Sequence, residues 1–109
     1  YVHVSDIAAA DVKSFEYLIS DNSLSYDVYN LGLGIGNRFE KEGLTVLEVI
    51  NAFERVNNVK VNYRIGDRRD GDIVEIYSNS TKARKIGWKP TRTVDDMVSS
   101  AWKWHKNKI

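Results

Sequence analysis

Apolar and polar positions follow two rhythms along this chain. Tyr1 to Val4 alternates at the period of a strand, and Ser5 and Asp6 can then cap a helix. Ala8, Val12, Phe15 and Ile19 recur at helical spacing behind that cap and predict its apolar stripe. Asp21 to Ser25 is polar and reads as a loop, and Tyr26 to Leu31 reads as a short strand running into glycines. Thr45 and Glu48 form a capping box ahead of Val46, Val49 or Ile50, Phe53 and Val56, which predicts a helix over Thr45 to Val56 ended by Asn57 and Asn58. Val59 to Ile65 alternates as a strand, Gly66 to Asp72 is a polar loop, and Ile73 to Tyr77 is a short strand-like run. Ser80 to Ile86 predicts a brief helix with Gly87 as its left-handed stop and Pro90 beyond. Thr93 and Asp96 open a last helix with Val94, Met97 or Val98, Ala101 and Trp104 or His105 on one face. Helices mixed with strands predict an α/β (α+β) class.

Length narrows this to one domain of 109 residues, a size at which much surface stays exposed. A net charge of +1 gives no basic field for nucleic acid or an anionic membrane. Without cysteine there is no disulfide, thiolate chemistry or thiolate-bound metal, and His3 and His105 match no ligand spacing. No apolar run reaches membrane-spanning length, so the chain reads as soluble and intracellular. It opens at Tyr1 on an apolar run without Met, which reads as a piece of a longer protein.

Two stretches invite chemistry. In "NLGLGIGN", Gly32, Gly34 and Gly36 alternate after a strand-like run. A dinucleotide loop would show GxGxxG leading straight into a helix, with an acid roughly 20 residues on. Here the xx step is absent, a charged segment intervenes before Thr45, and Asp67 comes about 35 residues after Gly32, so the glycines read as a tight turn. In "DRRDGD", Arg68 and Arg69 stand among Asp67, Asp70 and Asp72, with Gly71 allowing a sharp turn. Such an arginine can grip a phosphate with two hydrogen bonds and such an acid can take sugar hydroxyls. The same residues also suit a solvated loop with weak internal ion pairs. The Trp-Lys-rich ending "AWKWHKNK" could stack nucleic-acid bases but fits a helix core face better, Trp88 reads as a lid on the core, and His3 as structural.

The stretches "YVHVSDIAAADV", "VYNLGLGIG", "TVLEVINAFERV", "DRRDGD", "KARKIGWKPTRTVDDM" and "AWKWHKN" occur in the order in which similar ones run through the carboxyl-terminal third of UDP-galactose 4-epimerases. The chain thus resembles, over nearly its whole length, the smaller substrate-binding part of this extended short-chain dehydrogenase family. The resemblance implies a missing Rossmann domain that holds NAD, a tyrosine in a Tyr-x-x-x-Lys motif that takes the hydroxyl proton, and hydride passing between C4 of the sugar and NAD. It implies that Arg69 contacts the UDP phosphates, that Asp72 contacts the hydroxyls of the UDP-sugar, that Tyr1 belongs to the family's Arg-Asp-Tyr run, and that Ile76 lines the sugar pocket. It overturns the bland reading of the loop. UDP-glucose and UDP-galactose would be the substrates, the parent a cytoplasmic homodimer, and residues 1–109 an inactive nucleotide-sugar-binding domain.

The chemistry of the family is not encoded here. Tyr1, Tyr17, Tyr26, Tyr29, Tyr63 and Tyr77 are followed four residues on by Ser5, Asp21, Asn30, Leu33, Asp67 and Thr81, never by lysine. The sequence also departs from the family at "RFEKEG", Arg38 to Gly43, which reads as an insert, and at "STKARKIGW", one residue short. A related dehydratase or decarboxylase, or a non-enzymatic binding module, are the alternatives. With no cofactor domain in the chain, apolar surface is expected on the side that would face it, and Tyr1 to Ile19 is expected to be displaced or to pair with another chain.

Overall fold

The computed structural model describes residues 1–21, 23, 25–33, 44–73, 76 and 78–108. Gly34, Gly36, the Arg38 to Gly43 stretch and most of the expected 73–77 strand lie outside them. Four helices are described: α1 (Val4–Ser20), α2 (Val46–Asn57), α3 (Thr81–Lys85) and α4 (Val94–Asn107).

Helix α1 begins at Val4, the last residue of the expected first strand, and Tyr1 to His3 precede it without forming a ladder. The His3 ring accepts from the Ser5 amide (3.0 Å to Nδ1) and so caps the helix, while Asp6, expected as a cap, lies inside the first turn. A lone run of alternating residues with no neighbour to pair with gains nothing from extension, whereas a capped helix satisfies its own amides. The seating of α1 also differs from its apolar stripe. Asp6 and Ala10 are buried, whereas Val4, Val12, Phe15 and Ile19 are exposed. Small Ala10 lets the helix approach Ala83 and Trp88, with Val2, Tyr29 and Leu31 packed around that cluster. The indole of Trp88 donates to the Asp6 carbonyl (2.8 Å). The segment packs against Ala83 and Trp88, and its apolar stripe forms an outward face.

Helices α2 and α4 form the second packed unit. Both carry complete capping boxes, Thr45 with Glu48 and Thr93 with Asp96. Phe53 meets Trp102 edge to face at 5.4 Å, and the Asn57 amide donates to the Val98 carbonyl (3.2 Å). The Arg55 guanidinium clasps Asp95 through both nitrogens, at 2.7 and 3.2 Å. The buried line on α4 is Val98 with Val94 and Trp102 half-buried, while Ala101 and Trp104 face outward, one step round from part of the expected stripe. Helix α3 ends as the sequence predicts. Gly87 has φ 93°, and the amides of Gly87 and Trp88 bond back to the Arg84 and Ala83 carbonyls.

Among the described residues there is no β-ladder, so the α/β class read from the alternation is not borne out. The alternation itself is real. Asp27, Tyr29 and Leu31 turn inward while Tyr26, Val28 and Asn30 face out. Extended backbone counts as a strand only where a ladder of hydrogen bonds is formed, and none is formed among the described residues.

Candidate functional site

The polar loop after Val59 to Ile65 folds as a tight turn. The Asp72 amide donates to the Arg69 carbonyl (3.2 Å), and Gly71 sits at φ 83°, a left-handed value that glycine adopts without strain. The Asp72 carboxylate then accepts three bonds from Arg69: from the backbone amide (3.1 Å), from Nε (3.2 Å) and from Nη2 (3.1 Å). The Arg69 side chain is nevertheless 85% exposed. A guanidinium carries five donors, and side-on pairing through Nε and Nη2 leaves its end-on Nη1–Nη2 edge available to an oxyanion. The chemistry of this turn is therefore an oriented cation in solvent with a carboxylate beside it.

The structure brings Arg69 and Asp72 together. Tyr1 precedes α1 and Ile76 follows the turn, both well exposed. Val61, ahead of the turn, is tied to α2 by its amide on the Glu54 carboxylate (3.1 Å). Beyond the turn, the Ser78 hydroxyl donates to the Leu31 carbonyl (3.0 Å).

That second tie reassigns Gly32. Its backbone is not in the left-handed region, so no turn demands glycine there. A Cβ at Gly32 would stand 2.5 Å from the Ser78 Cβ and 2.9 Å from its Oγ, so the glycine is required by close packing. Arg84 of α3 closes the same corner, donating to the Leu33 carbonyl (3.1 Å) and, at 3.4 Å, to the Ser80 hydroxyl. Neither Ser78 nor Arg84 stood out in the sequence. The available signal was the glycine ending an inward-outward alternation, a pattern that marks close backbone approach as readily as a turn.

A separate cleft of about 310 Å³ lies between α1 and the 27–31 segment, lined in part by Ala10, Ser14, Asp27, Tyr29 and Trp88. Lys82 pairs there with Asp27, bonds the Val28 carbonyl (2.8 Å) and lies 4.8 Å from the Tyr29 ring centre. The Lys82 ammonium, with lesser help from the Val28 amide and the Tyr29 hydroxyl, holds the Asp27 carboxyl below its ordinary range. Burial and the Asp27 charge push the Tyr29 phenol up. None of Tyr1, Arg69, Asp72 or Ile76 lines this cleft. Among the described residues no cluster of histidine and carboxylate side chains could hold a metal ion, and no helix is long and apolar enough to cross a membrane.

These features define a class: a small scaffold, helical among the described residues, carrying an exposed arginine–aspartate turn. The chain superimposes on UDP-glucose 4-epimerase from Stenotrophomonas maltophila, solved with bound NAD and formylated UDP-arabinopyranose, with a TM-score of 0.83 and 37% identity over 97% of this chain and 29% of that one. It superimposes on the Bifidobacterium longum enzyme, in complex with NAD+ and UDP, with a TM-score of 0.77 and 36% identity over 99% of this chain and 30% of that one. In sequence it is 38% identical to UDP-glucose 4-epimerase of Bacillus subtilis over its whole length, and 37% identical to that of Drosophila melanogaster over 95% of it. The resemblance read from the motifs thus holds, and the chain spans about 30% of the length of these relatives. No protein-family model matches it.

Proposed function

We propose that this chain is the UDP-sugar-binding part of an NAD-dependent UDP-glucose 4-epimerase, inactive by itself and working on UDP-glucose and UDP-galactose as part of a longer, cytoplasmic, homodimeric polypeptide. The observation that carries this reading is similarity over the whole chain, in sequence and in backbone, to epimerases solved with NAD and with UDP or a UDP-sugar. The outward apolar face of α1 supports a larger assembly, because contiguous exposed apolar surface marks a face that another element covers.

In this reading the end-on edge of Arg69 grips the UDP phosphates and Asp72 orients that guanidinium while taking hydroxyls of the UDP-sugar. Ile76 lines the sugar pocket and Tyr1 lies beside the phosphate ligands. A firm hold on the non-reacting UDP positions the sugar, whose reacting carbon must be free to turn. NAD supplies the hydride acceptor, and the described residues around Gly32 and the α2 N-terminus do not fit it. The space beside Gly32 is filled by Ser78, and the α2 N-terminus is engaged by its own capping box. The cofactor is assigned to the remainder of the parent protein, so no step runs through this chain's glycines.

The test uses the parent-length enzyme. Interconversion of UDP-galactose and UDP-glucose is expected, and Arg69→Ala is expected to weaken UDP binding by about tenfold or more, the scale of a lost charge-assisted pair. A coding sequence with no NAD loop or Tyr-x-x-x-Lys ahead of this segment overturns the reading. So does a 4,6-dehydrated or decarboxylated product from the matching substrate.

A further inference from the structure

The loop carrying Arg69 and Asp72 runs between two ties, and they differ in kind. The nearer is one hydrogen bond, from the Val61 amide to Glu54. The farther is a packed corner, where Gly32 lies so close to Ser78 that no side chain fits between them. There the Ser78 hydroxyl bonds the Leu31 carbonyl and Arg84 bonds the carbonyl of Leu33. Gly32 is buried and Ser78 half-buried, whereas residues 62–73 between the ties are exposed. Ile76 stands two residues before this corner and Asp72 six.

We infer that Gly32, Ser78 and Arg84 are positioning residues for nucleotide-sugar binding: their corner anchors the chain beyond Asp72 and Ile76, and so sets how these two residues meet the UDP-sugar. The inference rests on the nucleotide-sugar reading above. It gives Gly32 a role in the substrate site rather than in a cofactor loop. A shift of about 1 Å in a positioning group can cost up to about a hundredfold in rate, so an anchor held by interlocked backbones is a strong lever.

The experiment compares Gly32→Ala, Ser78→Ala and the double variant Gly32→Ala with Ser78→Gly in the parent-length enzyme. Gly32→Ala forces the corner apart. In the double variant the two close atoms are gone, and the added methyl stands 3.6 Å from the Cα at position 78, an ordinary contact. Gly32→Ala is expected to raise the UDP dissociation constant and the KM for UDP-galactose about tenfold, with kcat within about twofold and NAD content unchanged. The double variant is expected to recover most of the loss. Ser78→Ala, which keeps the packing and removes one hydrogen bond, is expected to show a two- to threefold shift of the same kind, on the order of 0.5 kcal/mol. Unchanged UDP binding in Gly32→Ala, with wild type binding UDP, overturns the inference and leaves the function standing. Loss of NAD together with UDP that the double variant does not restore marks general damage and overturns it too. A wild type that binds no UDP overturns the nucleotide-sugar reading itself, and the inference with it.

Discussion

Two aspartates of this chain hold comparable sets of hydrogen bonds and do opposite things with them. Asp6 is 3% exposed and accepts from the Thr91 amide and hydroxyl and from the Arg92 amide, at 2.9 to 3.1 Å. Asp72 accepts three bonds from Arg69, and it lies in an exposed turn. The partners of Asp6 are fixed backbone from the far end of the sequence, so its bonds close the fold. The partner of Asp72 is three residues away on a solvated side chain, so its bonds organise a local surface. Hydrogen bonds in water are replaceable at small cost, whereas buried donors stripped of an acceptor are not. The first site is scaffold and the second is open to exchange with a ligand.

The largest expected effect breaks the scaffold side. Asp6→Ala leaves the Thr91 and Arg92 amides without their acceptor in a buried place. A loss of about 3 kcal/mol is expected, read as a melting temperature lower by roughly 10 °C or more. A melt within about 2 °C of wild type would show that water replaces the carboxylate there and would erase the contrast. Next comes Trp88→Phe, which keeps the ring in the core and removes the indole bond to the Asp6 carbonyl. It is expected to cost about 1 to 2 kcal/mol in denaturant titration, with the slope unchanged.

Acid sharpens the same comparison. Burial pushes the Asp6 carboxyl up, but the Arg92 and Thr91 donors more than offset it, leaving the group below its ordinary value. A carboxyl depressed in the folded state stabilises fully above its unfolded value of about 3.9, and that contribution fades as pH falls through the lower folded value. Wild type should therefore lose stability below about pH 4, and Asp6→Asn should be less stable at neutral pH and flatter in acid. Asp27, Asp95 and Asp96 shift the same way, so the informative quantity is the difference between the two melting curves. Parallel curves would mean that Asp6 does not carry this part of the acid response.

What the sequence disclosed follows the same division between local and distant partners. Both capping boxes, the Gly87 stop, the turn at Gly71 and the burial of Trp88 were legible because each rests on residues close in the chain or on a ring too large to leave in water. The adjacency of Arg69 and Asp72 was legible for the same reason. The seating of α1 was not. Its regular apolar stripe suggested the core face, yet Asp6 and Ala10 take that side, because a carboxylate's partners at Thr91 and Arg92 leave no periodic trace. The described extended segments form no ladder for a related reason: alternation records which side of a segment is covered and says nothing about whether a neighbour pairs with it. Gly32 was legible as a glycine and misleading as a motif, since the atom that excludes its side chain belongs to Ser78.

The smallest expected effect completes the comparison from the other side. If the Arg69–Asp72 turn is surface organisation, its fork should add little to folding even though it is held through both Nε and Nη2. Exposed pairs of this kind contribute about 0 to 1 kcal/mol, because both charges are well hydrated once separated. Arg55 and Asp95, also exposed, offer an internal control that links α2 to α4 rather than two residues of one turn. Arg69→Ala is therefore expected to shift stability by less than about 0.5 kcal/mol and Arg55→Ala by about 0.5 to 1, both reduced at high salt. A destabilisation by Arg69→Ala as large as that of Asp6→Ala would make the turn part of the scaffold. Weaker UDP binding in that variant could then be ascribed to damage, and the two aspartates would no longer mark two kinds of site.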